Sequence, residues 1–186
     1  MLLPQLTDCL ERTPVIAAVQ ENLWNEALTS PAEVIFHLNA TLLTVTKCIE
    51  QAHAVGKVLF VHMDLAEGIG KDRVGVEFLA SHGVDGIIST RGQIIRHAKE
   101  CGLITVQRFF ALDSKGVSGM GELLEQSKPD LVEIMPGIMG KIIHRFAGGK
   151  IPVIAGGLIE TKTEVTEALR YGAVAVSTGK QELWYS

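Results

Sequence analysis

The chain has 186 residues, of which 47% are hydrophobic, 20% are charged and 5% are aromatic. This composition predicts one globular domain over residues 1–186 with a substantial apolar core, and it excludes an intrinsically disordered regulator. The formal net charge of -4 excludes a surface that is basic all over, so any contact with nucleic acid must be local.

Residues 1–13 contain a short apolar segment that precedes the first predicted strand. Its apolar members are Leu2, Leu3, Leu6 and Leu10. In a closed barrel we expect such a segment to cover the amino-terminal end, because its leucines need a buried partner. Asp8, Glu11 and Arg12 lie where a signal peptide needs its apolar core.

Two further observations indicate the compartment. No stretch reaches the roughly 20 apolar residues that a membrane span requires. The three cysteines are widely spaced and form no C-x-x-C pair, which is typical of reduced, buried thiols. We therefore expect a cytoplasmic protein that makes no contact with a membrane.

Short runs rich in β-branched residues recur along the whole chain, and each is followed by a polar loop. The predicted strands are residues 15–19, 34–38, 57–63, 85–89, 103–109, 131–135, 151–155 and 173–177. Helical spacing of apolar residues follows most of these runs, which is typical of repeated βα units and a parallel sheet.

The predicted helices include residues 41–54, 73–82, 93–101, 119–126, 137–146 and 164–171. A glycine separates four helices from the next strand, at a position where a left-handed backbone commonly ends a helix. These glycines are Gly56, Gly83, Gly102 and Gly172.

Eight strands in 186 residues leave about 23 residues per unit, compact beside the roughly 250 residues of an ordinary barrel of this kind. An open, doubly wound sheet is the main alternative. Its first βα turn would carry a G-x-G-x-x-G sequence, whereas residues 19–22 read Val-Gln-Glu-Asn. The sequence therefore favours a compact (β/α)8 barrel of the TIM-barrel type.

The loops after the last two predicted strands carry residues suited to phosphate. Gly156 and Gly157 follow the seventh strand, and Ser177 and Thr178 follow the eighth. Barrels of this type often hold phosphate at these two loops, where glycine backbone and hydroxyl groups can approach a dianion. The alternative is a pair of tight turns that bind nothing.

Polar residues also occur near the carboxyl ends of the third to sixth strands, where we expect them to ring one mouth of the barrel. They are His62, Asp64, Ser89, Thr90, Arg91, Gln107, Arg108 and Glu133. Arg91 and Arg108 suit phosphate oxygens, while Asp64 and Glu133 suit ligand hydroxyls. An ion pair between Arg108 and Glu133 inside the barrel is an equal alternative.

His62, Asp64 and Glu67 could together bind a divalent cation, but their spacing is not diagnostic. We expect no metal, while this alternative stays open. No Ser-His-Asp or Cys-His arrangement can be assembled from the strand ends, so we expect no catalytic nucleophile.

Residues 86–99 and 136–159 contain no acidic residue and several basic ones. Four of the basic residues are candidates for RNA contact: Arg96, Lys99, Lys141 and Arg145. Contact with a phosphate backbone needs only a few such residues. The alternative is an ordinary solvated helix surface.

Six segments taken together resemble the glycerol-3-phosphate-responsive antiterminators of bacterial glycerol uptake operons. They are VHMDLAEG at 61–68, DGIISTR at 85–91, QRFFALDS at 107–114, EIMPG at 133–137, IAGGLI at 154–159 and AVST at 175–178. The Gly-Gly segment alone is common among phosphate-binding barrels, so the resemblance depends on the whole set.

The resemblance implies a TIM-barrel-like fold, glycerol 3-phosphate as effector with no further cofactor, and contact with a leader mRNA so that a terminator is bypassed. The protein would then regulate genes of glycerol uptake and metabolism. The second hypothesis is a barrel isomerase, aldolase or synthase on a small phosphorylated substrate, with Asp64 or Glu133 as general base. A homo-oligomer is left open.

Overall fold

The structure is a computed structural model that describes residues 3–185. Its strands are β1 (Val15–Val19), β2 (Val34–His37), β3 (Val58–His62), β4 (Gly86–Ser89), β5 (Ile104–Phe110), β6 (Leu131–Met135), β7 (Val153–Gly156) and β8 (Ala175–Thr178). Each strand pairs in parallel with the next, and β8 pairs with β1. The eight strands therefore form a closed barrel, which confirms the predicted fold class, and the open-sheet alternative is wrong.

The helices alternate with the strands and lie outside the barrel, except that the first helix precedes β1. They are α1 (Leu3–Arg12), α2 (Trp24–Thr29), α3 (Val45–Ala54), α4 (Arg73–Ser81), α5 (Gly92–Glu100), α6 (Ser114–Ser127), α7 (Gly140–Ala147) and α8 (Lys162–Arg170). Short 3-10 turns cover Glu21–Leu23, Met63–Leu65 and Gln181–Tyr185. The four glycines between helix and strand all have positive φ, as predicted.

Side-chain alternation along the strands separates two apolar clusters. The outer cluster lies between the sheet and the helices. The inner cluster fills the barrel, and its strand residues include Ile16, Phe36, Phe60, Ile88, Val106 and Ile154. An interior filled by layers of side chains from successive strands is typical of this architecture.

Helix α1 packs against the inner cluster at the amino-terminal end of the barrel. Leu6, Cys9 and Leu10 are buried together with Ile16 and its neighbours. The helix buries an apolar stripe, since these residues recur at helical spacing. Leu2, which belongs to the apolar segment of the sequence, lies outside the described residues.

Three helix starts differ from the prediction by three residues or more. Helix α6 begins at Ser114 rather than 119, because the Asp113 side chain accepts a hydrogen bond from the Gly116 N–H and caps it. Helix α3 begins at Val45 rather than 41, because residues 41–44 form turns beside the loop after β3. Helix α7 begins at Gly140 rather than 137.

Gln107 is wrongly included in the predicted ring of polar side chains at the mouth. It follows the inward-facing Val106 in β5, so its side chain points outward, where its amide oxygen accepts a hydrogen bond from Ser127 of α6. Gln107 therefore belongs to the helix layer and not to the mouth.

No helix within residues 3–185 has the length and hydropathy to span a membrane.

Candidate functional site

The interior of the barrel changes from apolar to polar at the carboxyl ends of the strands. Arg108 lies two residues beyond Val106 on the inner face of β5, and its register partner in β6 is Glu133. Ser177 of β8 pairs in register with Gly156 of β7. These side chains therefore meet inside the barrel, just below its mouth.

Glu133 is fully buried, with 0% of its surface exposed, and both carboxylate oxygens are hydrogen-bonded. Arg108 Nε donates to Oε2 at 2.5 Å, and Ser177 Oγ donates to Oε1 at 2.5 Å. The structure thus contains the Arg108–Glu133 ion pair that the sequence left as an alternative. A buried carboxylate is stable only when it is paired in this way.

Gly156 makes room for this pair. A Cβ atom at this position would overlap Glu133 Oε1 and would lie 2.8 Å from Ser177 Oγ. The predicted phosphate residue Gly156 therefore lies against the buried carboxylate, beneath the loop that follows it. Its lack of a side chain is a packing requirement.

Above the ion pair lies a cavity of about 400 Å³. Four of the predicted site residues line it: Arg108, Gly157, Ser177 and Thr178. Asp64, Arg91, Glu133 and Gly156 are not part of its lining. Lining residues that the sequence analysis missed include Leu158, Glu160 and Lys180.

The hydroxyl groups at the eighth strand are occupied by protein partners. Ser177 donates to Glu133, and Thr178 Oγ1 donates to the Ile159 carbonyl at 2.8 Å while it accepts from the Lys180 N–H. Neither hydroxyl therefore has a proton left for a dianion.

Backbone N–H groups in the same loops are not occupied. Among residues 3–185, no group accepts a hydrogen bond from the N–H of Gly157, Leu158 or Gly179. Gly157 and Leu158 both have left-handed backbone, at φ 73° and 58°. Positive φ is uncommon for leucine, and Leu158 is also 65% exposed at the cavity. The loop after β7 thus borders the cavity with unpaired N–H groups and an exposed apolar side chain.

Two cations line the same cavity as these N–H groups. The Nε atom of Arg108 donates to Glu133, whereas its two Nη atoms have no protein partner within residues 3–185. Lys180 is 3.3 Å from Glu160 through its Nζ atom, and its side chain is 48% exposed. Guanidinium, ammonium and backbone N–H groups are the donors that phosphate oxygens prefer.

Asp64 lies at the other side of the mouth and joins the end of β3 to the loop after β4. Ser89 Oγ donates to Oδ1, and the N–H and hydroxyl of Thr90 both donate to Oδ2 at 2.7 Å. Burial acts to raise the pKa of Asp64, but these hydrogen bonds outweigh it, so the pKa lies below its usual value. Arg91 Nε lies 3.8 Å from Oδ1.

The structure does not bring the three candidate metal ligands together. His62, Asp64 and Glu67 do not form a cluster of the size that a metal ion needs, and none occurs elsewhere in residues 3–185. The oxygens of Asp64 are directed to Ser89 and Thr90 instead.

The four basic residues predicted to contact RNA lie on two helices that are not neighbours. Arg96 and Lys99 are on α5, whereas Lys141 and Arg145 are on α7. The strands follow one another around the barrel in chain order, so helix α6 lies between α5 and α7. Helix α6 carries the acidic residues Glu122 and Glu125. Lys99 Nζ is bonded to Asp130 at 2.8 Å and to a backbone carbonyl. The two segments meet at a cavity that Lys99 of the first and Lys150 of the second both line, whereas Arg96, Lys141 and Arg145 do not line it.

Three relatives are similar to this chain over most of their length. The Escherichia coli (strain K12) protein YgcP is 34% identical over 183 residues, which are 96% of this chain and 95% of that protein. The crystal structure of the glycerol uptake operon antiterminator regulatory protein from Listeria monocytogenes is 33% identical with a TM-score of 0.87. The alignment covers 91% of this chain and 94% of that one.

A glycerol uptake operon antiterminator-related protein from Thermotoga maritima has 33% identity and a TM-score of 0.83, and covers 92% of this chain and 98% of its own. Residues 15–184 also match the model of a family described as glycerol-3-phosphate responsive antiterminator. The match includes all eight strands and the mouth of the barrel. This chain therefore belongs to the glycerol-3-phosphate responsive antiterminator family.

Proposed function

We propose that this protein binds glycerol 3-phosphate at the carboxyl-terminal mouth of its barrel and, in response, changes its binding to a leader mRNA in the cytoplasm. Bypass of a terminator in that leader then raises expression of genes for glycerol uptake and metabolism. The family description and the names of the two similar crystal structures support this proposal.

One observation carries the ligand assignment. N–H groups of the loops after β7 and β8, at Gly157, Leu158 and Gly179, have no protein acceptor in the described chain and border the same cavity as Arg108. A phosphate dianion supplies the missing acceptor oxygens and the counter-charge. Lys180 adds a second, more exposed cation.

The remaining predicted residues act around this cavity. Glu133, with Ser177 and Gly156, fixes the guanidinium of Arg108 beneath the phosphate. Asp64 and Arg91 lie across the mouth, where Asp64 keeps unused lone pairs for a ligand hydroxyl. The cavity volume of about 400 Å³ suits a small phosphate ester.

The enzyme hypothesis is less well supported, because both candidate bases are already bonded. Glu133 is paired with Arg108, and hydrogen bonds hold the pKa of Asp64 below its usual value. A general base at neutral pH needs a pKa that lies near the working pH. The mouth therefore suits a ligand sensor better than a proton-transfer enzyme.

A matched pair of substitutions at Gly157 tests the phosphate site. Asn and Asp are similar in size and both tolerate left-handed backbone, so Gly157→Asn measures the steric effect and Gly157→Asp adds the charge. In calorimetry, glycerol 3-phosphate should bind at least about tenfold more weakly to the Asp variant than to the Asn variant. Equal affinities for these two variants would contradict the assignment.

A double charge reversal tests the RNA surface. Lys141→Glu with Arg145→Glu should abolish binding of leader RNA in a gel-shift assay and leave glycerol 3-phosphate affinity nearly unchanged. The control is Lys115→Glu with Lys162→Glu, which changes the net charge equally on helices α6 and α8. Equal losses in the two double variants would mean that only overall charge matters.

The same assay tests the coupling between ligand and RNA. Effector and RNA must each favour the same conformational state, with a typical coupling of about 1–3 kcal/mol. Glycerol 3-phosphate should therefore shift the RNA dissociation constant by roughly 5- to 150-fold. If the parent protein shows no ligand-dependent RNA binding at any salt concentration, the enzyme hypothesis becomes the better one.

A further inference from the structure

His62 occupies the last position of β3, on the inner face of the barrel. Phe60, two residues earlier, belongs to the inner apolar cluster, and strand alternation gives His62 the same direction. Its register partner in β4 is Ile88, which is also an interior residue. The imidazole is therefore part of the polar layer below the mouth, and only 3% of the residue is exposed.

The ring of His62 contains a buried polar atom without a partner. Nδ1 has no hydrogen-bond partner among the described residues. Buried polar atoms in folded proteins are nearly always paired with protein or water, and an unpaired one is unfavourable. Nδ1 of His62 is in this state although Arg108, Asp64 and Glu133 are close enough to affect its ionisation.

The carboxylates of the layer are bonded to other side chains and not to Nδ1 of His62. Both oxygens of Glu133 accept hydrogen bonds from Arg108 and Ser177, and both oxygens of Asp64 accept from Ser89 and Thr90. These carboxylates were the predicted hydroxyl acceptors. Among the side chains of this layer in residues 3–185, His62 is the one whose unpaired polar atom is itself fully buried.

The protonation state of His62 fits a neutral ligand group. Burial, followed by the positive charge of Arg108, lowers the pKa of His62 to about 4. At neutral pH the ring is uncharged, with one N–H donor and one acceptor nitrogen. A hydroxyl group both donates and accepts, so it can bond to Nδ1 in either tautomer.

We infer that His62 binds a hydroxyl group at the polyol end of the phosphorylated ligand. This inference rests on the proposed function. β3 lies across the barrel from β7 in the closed strand order, so a small ligand that is held by phosphate at β7 and β8 extends its hydroxyls toward the β3 side. His62 is not part of the cavity lining but lies in the polar layer below it, where Arg108, which does line the cavity, is close enough to lower the pKa of His62. The site then distinguishes hydroxylated phosphate esters from phosphate alone.

The experiment compares three ligands in calorimetry: glycerol 3-phosphate, propyl phosphate, which lacks the hydroxyls, and inorganic phosphate. His62→Phe keeps a ring of similar size and removes both nitrogens, whereas His62→Asn keeps a polar amide near the position of Nδ1. The Phe variant should bind glycerol 3-phosphate about tenfold more weakly and the two other ligands within about twofold of the parent. The Asn variant should recover part of the loss.

Equal changes for all three ligands in the Phe variant, or no change for any, would overturn the inference. If the parent protein fails to bind glycerol 3-phosphate, the proposed function fails first, so the two failures are distinguishable. A variant that does not fold is replaced by a measurement on the parent protein with ¹⁵N-labelled histidine. The Nδ1 resonance of His62 should shift on addition of glycerol 3-phosphate and not of inorganic phosphate, and an unshifted resonance would overturn the inference.

Discussion

At its amino-terminal end the barrel interior is filled by apolar side chains and by helix α1, whereas at its carboxyl-terminal end the same interior holds an arginine, a glutamate and a histidine. Leu10 is buried among the apolar residues of the first end. Arg108, Glu133 and His62 are buried at the second. Both layers consist of buried side chains, but only the second contains polar groups that can recognise a ligand.

This contrast separates stability from recognition within one barrel. Apolar burial stabilises a fold in proportion to the area removed from water and needs no exact partner. Buried charges stabilise it only if every group is paired, and removal of one partner leaves the other unsatisfied. We therefore expect substitutions at the two ends to differ in size, in pH dependence and in their effect on ligand binding.

The largest effect is expected from Glu133→Ala. The substitution leaves Arg108 as an unpaired, buried cation and should lower the free energy of unfolding by about 3–5 kcal/mol in urea titrations. The double variant Arg108→Met with Glu133→Leu removes both charges, and should be more stable than the single variant. A loss below about 1 kcal/mol for Glu133→Ala would contradict a tightly paired carboxylate.

Acid should destabilise the protein through its buried histidines. His37 is fully buried against Trp24, with ring centroids 5.0 Å apart, and burial lowers its pKa to about 4. Because the unfolded chain takes up this proton near pH 6.5 and the folded chain does not, the stability falls between about pH 6.5 and about pH 4.

For His37 the fall should reach about 3 kcal/mol, and His62 should add a similar amount because its pKa is also about 4. In the variant His37→Phe, the acid-induced fall in the free energy of unfolding should be smaller by the part that His37 causes. Urea unfolding at a series of pH values measures this difference. Parallel stability curves for the parent and this variant would show that His37 is not neutral in the fold.

At the apolar end, Leu10→Ala should lower the free energy of unfolding by about 2 kcal/mol, near the small end for buried leucine because a terminal helix can relax. Leu3→Ala is the control on the same helix, since Leu3 is exposed, and should change stability by less than about 0.5 kcal/mol. Affinity for glycerol 3-phosphate should stay the same in both variants. Weaker ligand binding by Leu10→Ala would mean that the two ends are coupled.

The smallest effect is expected from Lys180→Ala. An exposed ammonium contributes about 0.4–1 kcal/mol to an ion pair of this kind, so glycerol 3-phosphate should bind about two- to fivefold more weakly. High salt should remove most of this difference. Lys162→Ala, on an exposed residue of α8, is the control and should leave affinity unchanged.

The fold was predictable because apolar periodicity is a local property. The eight strand predictions overlap the observed strands, and the glycines before four of them confirmed the repeat. Helix α2 was not predicted, because its six residues are too few for a clear period. The early start of α6 was missed because the glycines near its beginning resemble a loop.

The site was predictable only in part, because its bonds connect distant strands. Sequence placed Arg108 and Glu133 at strand ends but could not decide between ligand contact and an ion pair, since that depends on the register of β5 and β6. The direction of Gln107 depends on the same alternation. The unpaired N–H groups of the loops and the unpaired Nδ1 of His62 require coordinates.

A crystal structure of the protein with glycerol 3-phosphate would show directly where the ligand binds. We expect the phosphate within hydrogen-bond distance of the N–H groups of Gly157, Leu158 and Gly179 and of the Arg108 guanidinium, with a hydroxyl directed to His62. Phosphate bound elsewhere on the molecule, or a mouth that stays empty at saturating ligand, would contradict this expectation.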